Sequence, residues 1–167
     1  MTMVILVIGL PGSGKSFFAE RLAQKIGADY YNSDRLRKEI FFERTYSDSE
    51  KEKVYNALLK KMKEATNKGK DVVVDATFYK DKFRKLFTTN GGERIAFIKV
   101  WANEKLTKDR IQKKRKFSEA DFDVYKLLKR QWEPVKQPHL ILESTNENID
   151  AMLQKAEDYL KDDKRTN

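Results

Sequence analysis

The chain has 167 residues, with 35 Lys and Arg against 26 Asp and Glu, a net charge of +9 and no cysteine. That length suits one domain with a sizeable core, and the lack of cysteine removes disulfides and thiolate metal sites. No stretch is long and apolar enough to span a bilayer, and the first strand-like run starts too early to leave room for a signal peptide, so a cytoplasmic enzyme with no membrane partner is expected.

In chain order, Val4–Ile8 is an aliphatic run of the kind that forms a buried parallel strand. Gly9–Ser16 follows as a glycine-rich loop, and Ser16–Ile26 reads as an amphipathic helix with Phe17, Leu22, Ala23 and Ile26 apolar. Asp29–Ser33 is a short second strand, and Asp34–Phe42 a helix with Leu36, Ile40 and Phe41 on one stripe. Ser47, Asp48, Ser49 and Glu50 supply helix-start chemistry for a long helix to about Asn67, ended by Gly69. Val72–Asp75 is a third strand, Lys80–Thr88 a helix, and Ile95–Trp101 a fourth strand. A basic helix spans about Glu104–Lys116, another Phe122–Trp132, and a fifth strand His139–Leu142 precedes a closing helix, Asn148–Leu160, with Lys161–Asn167 frayed. Strands alternating with helices predict one α/β domain over the whole chain.

Gly9-Leu10-Pro11-Gly12-Ser13-Gly14-Lys15-Ser16 matches the G-x-x-x-x-G-K-[ST] pattern. Between a strand and a helix, its backbone N–H groups can curl around phosphate oxygens, aided by the helix N-terminus. Lys15 can reach the β- and γ-phosphates and the Ser16 hydroxyl can bind Mg²⁺. A turn that merely precedes a helix would not need Lys-Ser in register.

In an open parallel sheet the ligand sits beyond the carboxyl ends of the strands, which directs attention to Asp34, Asp75 and Thr77. Asp75, closing a run of valines, is placed to hold Mg²⁺ or bind an acceptor; its alternative is to cap the next segment. Asp34 and Arg37, one helical turn apart, supply a proton acceptor and a cation; the alternative is an N-cap and a surface residue. Arg110, Lys114 and Arg115 are candidates to neutralise charge on a transferring phosphoryl group. His139 is the only histidine, and a packing or backbone hydrogen-bond role is expected. Phe17, Phe18, Phe41, Phe42, Phe78, Phe83 and Phe87 fall at core-like spacings. The positive charge suits either nucleic acid or a solvated surface. Its interspersion favours the second, except at Lys80, Lys82, Arg84 and Lys85 and at Lys113–Lys116.

Taken together, G-L-P-G-S-G-K-S at Gly9–Ser16, S-D-R-L-R at Ser33–Arg37 and V-V-V-D-A-T-F at Val72–Phe78 resemble the small P-loop kinases. These are related to the 5′-kinase domain of polynucleotide kinase and include gluconate-kinase-like and seryl-tRNA kinases. The resemblance continues through Ser118-Glu119-Ala120 to Trp132-Glu133-Pro134. It implies a three-layer αβα P-loop NTPase fold with a five-stranded parallel sheet and a helical lid at about 104–132. It implies ATP and Mg²⁺ as cofactors, with Gly9, Pro11, Gly12, Ser13, Gly14, Lys15, Ser16, Phe17 and Arg110 at the nucleotide and Ser16 and Asp75 at the metal. By the same resemblance Lys15, Asp34, Arg37 and Arg115 are catalytic, and Asp34, Arg37, Asp75 and Thr77 face the acceptor. In the family's lid an arginine contacts the ATP phosphates; here the usual second position falls on Lys114 or shifts to Arg115.

The leading expectation is therefore an ATP-dependent kinase acting on a hydroxyl acceptor, either a small molecule or nucleoside or a polynucleotide 5′-hydroxyl. The alternative is a regulatory ATPase or nucleotide switch without a phosphoryl acceptor; no guanine-reading N-K-x-D run is present to make it a GTPase. A non-catalytic nucleic-acid-binding module would leave the phosphate loop unexplained. Nucleic acid stays open as a partner, and one chain does not set the oligomeric state.

Overall fold

A computed structural model describes residues 2–90, 94–113 and 121–166. Five strands form one parallel sheet in the order β2-β3-β1-β4-β5. They are β1 (Met3–Ile8), β2 (Asp29–Asn32), β3 (Val72–Ala76), β4 (Arg94–Trp101) and β5 (Leu140–Glu143). The connecting helices are α1 (Lys15–Ile26), α2 (Ser33–Ile40), α3 (Asp48–Asn67), α4 (Asp81–Asn90), α5 (Glu104–Gln112), α6 (Phe122–Gln131) and α7 (Ile149–Thr166). This is the three-layer α/β P-loop fold expected.

The layers follow from the two-residue period of a strand. On β1, Val4, Leu6 and Ile8 pack under residues of α2, α3, α4 and α6, while Met3, Ile5 and Val7 pack against α1 and α7. Both faces are covered, so β1 is buried throughout and reads as a continuous apolar run. Each such aliphatic side chain contributes about 1.5–3 kcal/mol by burial. β1 is central, pairing with β3 through Val4↔Val72 to Ile8↔Ala76 and with β4 through Met3↔Arg94 to Ile8↔Lys99. The phosphate loop thus leaves the middle of the sheet.

Four local differences matter. The α2 N-cap is Asn32, whose side chain accepts from the Arg35 N–H, so helix begins at Ser33 and Asp34 is free of capping. At α3 the Ser47 hydroxyl accepts from the Glu50 N–H at 3.2 Å, but the Glu50 carboxylate turns to Thr45 instead of closing a capping box. The tail expected to fray is instead helical through Thr166, and no glycine or proline interrupts the helix there. Among the phenylalanines, Phe18, Phe78, Phe83 and Phe87 are core, whereas Phe17 is 53% and Phe42 98% exposed. The end of the expected basic helix, with Lys114, Arg115 and Lys116, and the Ser118-Glu119-Ala120 segment lie outside the described residues.

Candidate active site

The loop from Gly9 to Ser16 is closed by two glycines in the left-handed region, Gly12 at φ 80° and Gly14 at φ 89°. Gly14 is the N-cap of α1 and has no side chain to satisfy the helix's first N–H groups, which leaves them available to phosphate oxygens. Ser13 pins the arch, its N–H donating to the Leu10 carbonyl and its hydroxyl accepting from the Lys15 N–H. Gly9 serves another purpose: a β-carbon there would run into the Val100 carbonyl and the Ser13 hydroxyl. The Gly9 N–H donates to the Thr77 carbonyl at 3.3 Å, which ties the loop to the end of β3. Phe17, at the first turn of α1, keeps its ring half in solvent under the Arg21 guanidinium, 3.2 Å from the ring centre.

Asp75 is fully buried beside this loop, paired in register with Val7 and Asn32. Its Oδ2 accepts from the Tyr30 hydroxyl at 2.6 Å and from the Asn32 amide at 2.7 Å. The same Asn32 amide lies 3.3 Å from the Ser16 hydroxyl. Asn32 therefore caps α2 with its oxygen and joins Ser16 to Asp75 with its nitrogen. Burial, then the Asp75 charge, push the Tyr30 phenol far above its ordinary value, so it stays a donor to the carboxylate. Asp75 Oδ1 is buried with no hydrogen-bond partner. A bare oxygen on a carboxylate that Asn32 links to the phosphate-loop hydroxyl of Ser16 fits Mg²⁺, which takes one or two protein oxygens and completes its octahedron with phosphate and water. The same burial sets Asp75 beneath the surface an acceptor would touch.

Asp34 extends from the first turn of α2. Burial pushes its carboxyl above the usual range; Lys15 and Arg37 pull it back, Asp75 adds to the rise and Lys38 opposes it. Arg37 Nη1 donates to Asp34 Oδ1 at 3.2 Å. On its other side Arg37 Nε lies 3.2 Å from Glu50 Oε1 without hydrogen-bond geometry, and its guanidinium sits 4.6 Å from the Tyr46 ring centre. Arg37 is thus only 7% exposed and is held between two carboxylates. Glu50, 5% exposed, accepts from the Thr45 N–H and hydroxyl. Burial raises its carboxyl, but the Thr45 and Tyr46 hydrogen bonds and the Arg37 charge outweigh that and hold it below its ordinary value. Sequence reasoning missed Glu50, Tyr30 and Asn32. Tyr30 and Asn32 lie outside a motif, although Asn32 directly before Ser33-Asp34 carries a readable capping signal, and Glu50 reads only as helix-start chemistry.

Arg110 of α5 lies over the loop. Its guanidinium donates to the Gly12 carbonyl at 3.2 Å, to the Ser144 hydroxyl at 2.8 Å and to Asn146 at 3.3 Å. A β-carbon on Gly14 would meet both Ser144 and Arg110, so the phosphate loop, α5 and the turn after β5 converge on this one side chain. Arg115, the other lid candidate, lies outside the described residues. Thr77 is half-buried at the end of β3 and meets the loop through its carbonyl.

The Lys80–Lys85 cluster does not form a basic stripe. Arg84 is fully buried and donates to the carbonyls of Phe78, Pro134 and Glu133 at 2.8, 3.1 and 2.5 Å. Lys85 lies 3.0 Å from Asp81, and Lys82 3.6 Å from Glu52. The Glu133 carboxylate in turn accepts from the Asp81 N–H, so Trp132-Glu133-Pro134 is a strap locked to the start of α4. It holds Phe78, a left-handed residue at φ 49°, in place beside Thr77. The lone histidine, His139, makes its ring contact with the Gln137 carbonyl at 2.8 Å.

The family model described as an AAA domain matches residues 4–135, from the start of β1 past the Arg84 strap. No curated protein sequence matches the chain. Solved structures share its fold at low identity. A sugar kinase from a Janibacter species aligns with a TM-score of 0.76 at 14% identity, over 96% of this chain and 95% of its own. A gluconokinase from Sinorhizobium meliloti gives a TM-score of 0.70 at 18% identity, over 92% and 88%. The Mycobacterium tuberculosis APS kinase in complex with AMPPNP and APS gives 0.67 at 20% identity, over 96% and 98%. Among the described residues no helix is long and apolar enough to cross a membrane.

Proposed function

The chain belongs to the AAA domain family, and from that premise we propose that it is an ATP-dependent kinase that transfers the γ-phosphoryl group to a hydroxyl of a small-molecule acceptor. The observation that carries this reading is Asp34. It is freed from capping by Asn32, half-buried, bonded to Arg37 and under the charge of Lys15 of the phosphate loop.

The Lys15 ammonium and the N–H groups of Gly12, Gly14, Ser16 and Phe17 hold the triphosphate, with Arg110 available to the nucleotide once it leaves Gly12. Ser16 and Asp75 are the residues that would hold Mg²⁺, which when bound neutralises charge on the β- and γ-phosphates. Asp34 accepts a hydrogen bond from the acceptor hydroxyl, orients its oxygen and takes its proton as the new P–O bond forms and ADP leaves. Arg37 positions Asp34, being itself fixed by Glu50. Thr77 lies on the acceptor side. Arg115 remains a candidate for the lid cation.

A small acceptor is favoured over a polynucleotide because, of the Lys80–Lys85 cluster, Arg84 is buried and Lys82 and Lys85 are each paired with a carboxylate. The sugar kinase and the gluconokinase that share the fold point the same way. The test is transfer from γ-labelled ATP to panels of polyols, sugar acids, nucleosides and a 5′-hydroxyl oligonucleotide, with Asp34→Asn alongside. Transfer should fall about 10²–10⁴-fold in that variant while calorimetric ATP affinity stays near wild type. Undiminished transfer removes Asp34 from the mechanism, and ATP hydrolysis with no acceptor in any panel replaces the kinase reading with the switch.

A further inference from the structure

A cavity of about 340 Å³ lies beside the phosphate loop, walled by Pro11 and Ser13 of the loop, the end of β4, the start of α5, and α6. Neither Arg110 nor Ser144 lines it, so it is separate from the convergence on Gly14. Its most telling residue is Lys99. The alternation along β4 puts Lys99 on the face of Phe97, under the α3–α4–α6 layer. Its ammonium lies 5.2 Å from the centre of the Trp132 ring, and the fully buried Arg84 guanidinium lies 5.4 Å from the same centre.

Arg84 is satisfied by carbonyl oxygens and not by a carboxylate. Among the described residues no carboxylate lies against Lys99. Two positive charges therefore share one indole at the cavity's edge, and a third, Lys129, sits on its wall. Among the described residues Glu104 is the single acid lining the cavity, exposed on the first turn of α5 and paired with neither lysine. A half-buried lysine with no counter-ion is costly unless something negative arrives. Burial, and next the Arg84 charge, depress the Lys99 ammonium accordingly. Trp101, Tyr125 and Trp132 supply flat apolar walls on which a ring or carbon chain can rest.

We propose that this cavity binds the anionic end of the phosphoryl acceptor, so that the substrate class is a small molecule carrying a carboxylate or phosphate besides its reacting hydroxyl. The proposal rests on the kinase reading only for the word acceptor; the cavity's preference for an anion stands on Lys99. The net charge of +9 would then serve in part to draw a charged small substrate to the mouth of the sheet.

The chain's two tryptophans, Trp101 and Trp132, both line the cavity, so intrinsic fluorescence reports its occupancy. At constant ionic strength the protein is titrated with gluconate against sorbitol, and with adenosine 3′-monophosphate against adenosine. Each pair differs in one anionic group, carboxylate in the first and phosphate in the second. The expected result is saturable change with the charged member of at least one pair, a Kd raised at least tenfold in Lys99→Met, and phosphorylation of that same compound by MgATP. ATP binding by calorimetry should be equal in wild type and Lys99→Met. Equal responses to charged and neutral members, no response to any of the four, or an unchanged Kd in Lys99→Met each overturn the proposal. Lys99-dependent binding of an anion that is not phosphorylated overturns its assignment to the acceptor. Absent ATP binding with an intact, Lys99-dependent anion response would sink the kinase reading and leave the anion site standing.

Discussion

Replacing Arg84 by Met separates a structural arginine from a nucleic-acid one. In the folded protein the guanidinium is fully buried and spans three backbone carbonyls, at Phe78, Glu133 and Pro134. Methionine fills much of the hydrocarbon volume but leaves those acceptors without a donor. Each hydrogen bond to a charged group is worth about 1.5–3 kcal/mol, yet two of the carbonyls are only part-buried and can recover water. A net loss of about 3–5 kcal/mol is expected, because three such bonds are lost and rehydration of the two part-buried carbonyls returns only part of their worth. For a chain of this size that corresponds to a drop in Tm of roughly 6–20 °C. Urea unfolding at neutral pH gives the free energy directly. Arg84→Lys should also lose stability, because an ammonium cannot reproduce a planar fork across three carbonyls. A loss below about 1 kcal/mol would refute the account of the strap. So would a folded Arg84→Met protein whose binding to a 5′-hydroxyl oligonucleotide loses about one unit of salt slope, since that is the signature of a phosphate contact.

Three further outcomes follow from the same geometry. Glu50→Gln should cost about 1–3 kcal/mol near neutral pH. Because the folded state depresses the Glu50 carboxyl, its contribution exists above the ordinary glutamate range and is lost as pH falls through the depressed value, so the gap between wild type and variant should close in acid; a pH-independent gap contradicts this. Asp34 has the opposite sign: its raised carboxyl stabilises the fold less once pH exceeds the ordinary aspartate range. Asp34→Asn should therefore be the more stable protein at neutral pH in urea unfolding, with the advantage vanishing in acid, while wild-type transfer fails in acid at a pH above that of a free carboxylate. Gly9→Ala, whose new β-carbon would meet the Val100 carbonyl, should lose about 1–3 kcal/mol by overpacking and weaken ATP binding. Wild-type stability and ATP affinity in that variant would show that the loop and β4 can part without cost.

The alternation of apolar runs and amphipathic stretches determined the order and type of every described element, because strand and helix periods are local properties of the chain. The phosphate loop was equally legible, since Gly9–Ser16 carries its function in contiguous backbone. What tertiary structure decided is which charges are buried and what they face. Lys80, Lys82, Arg84 and Lys85 read alike in sequence, yet Arg84 points into the core because the strap at Glu133 and Pro134, some fifty residues on, brings carbonyls to it. Asp34 could have been a helix cap, and was released because Asn32 took that place. Asp75 and Ser16 meet only because β3 lies beside β1 and Asn32 of β2 reaches both. The Lys99 cavity needs β4, α5, α6 and the loop together. Periodicity tells which face of an element is apolar, but the pairing of a buried charge depends on distant partners that no local pattern encodes.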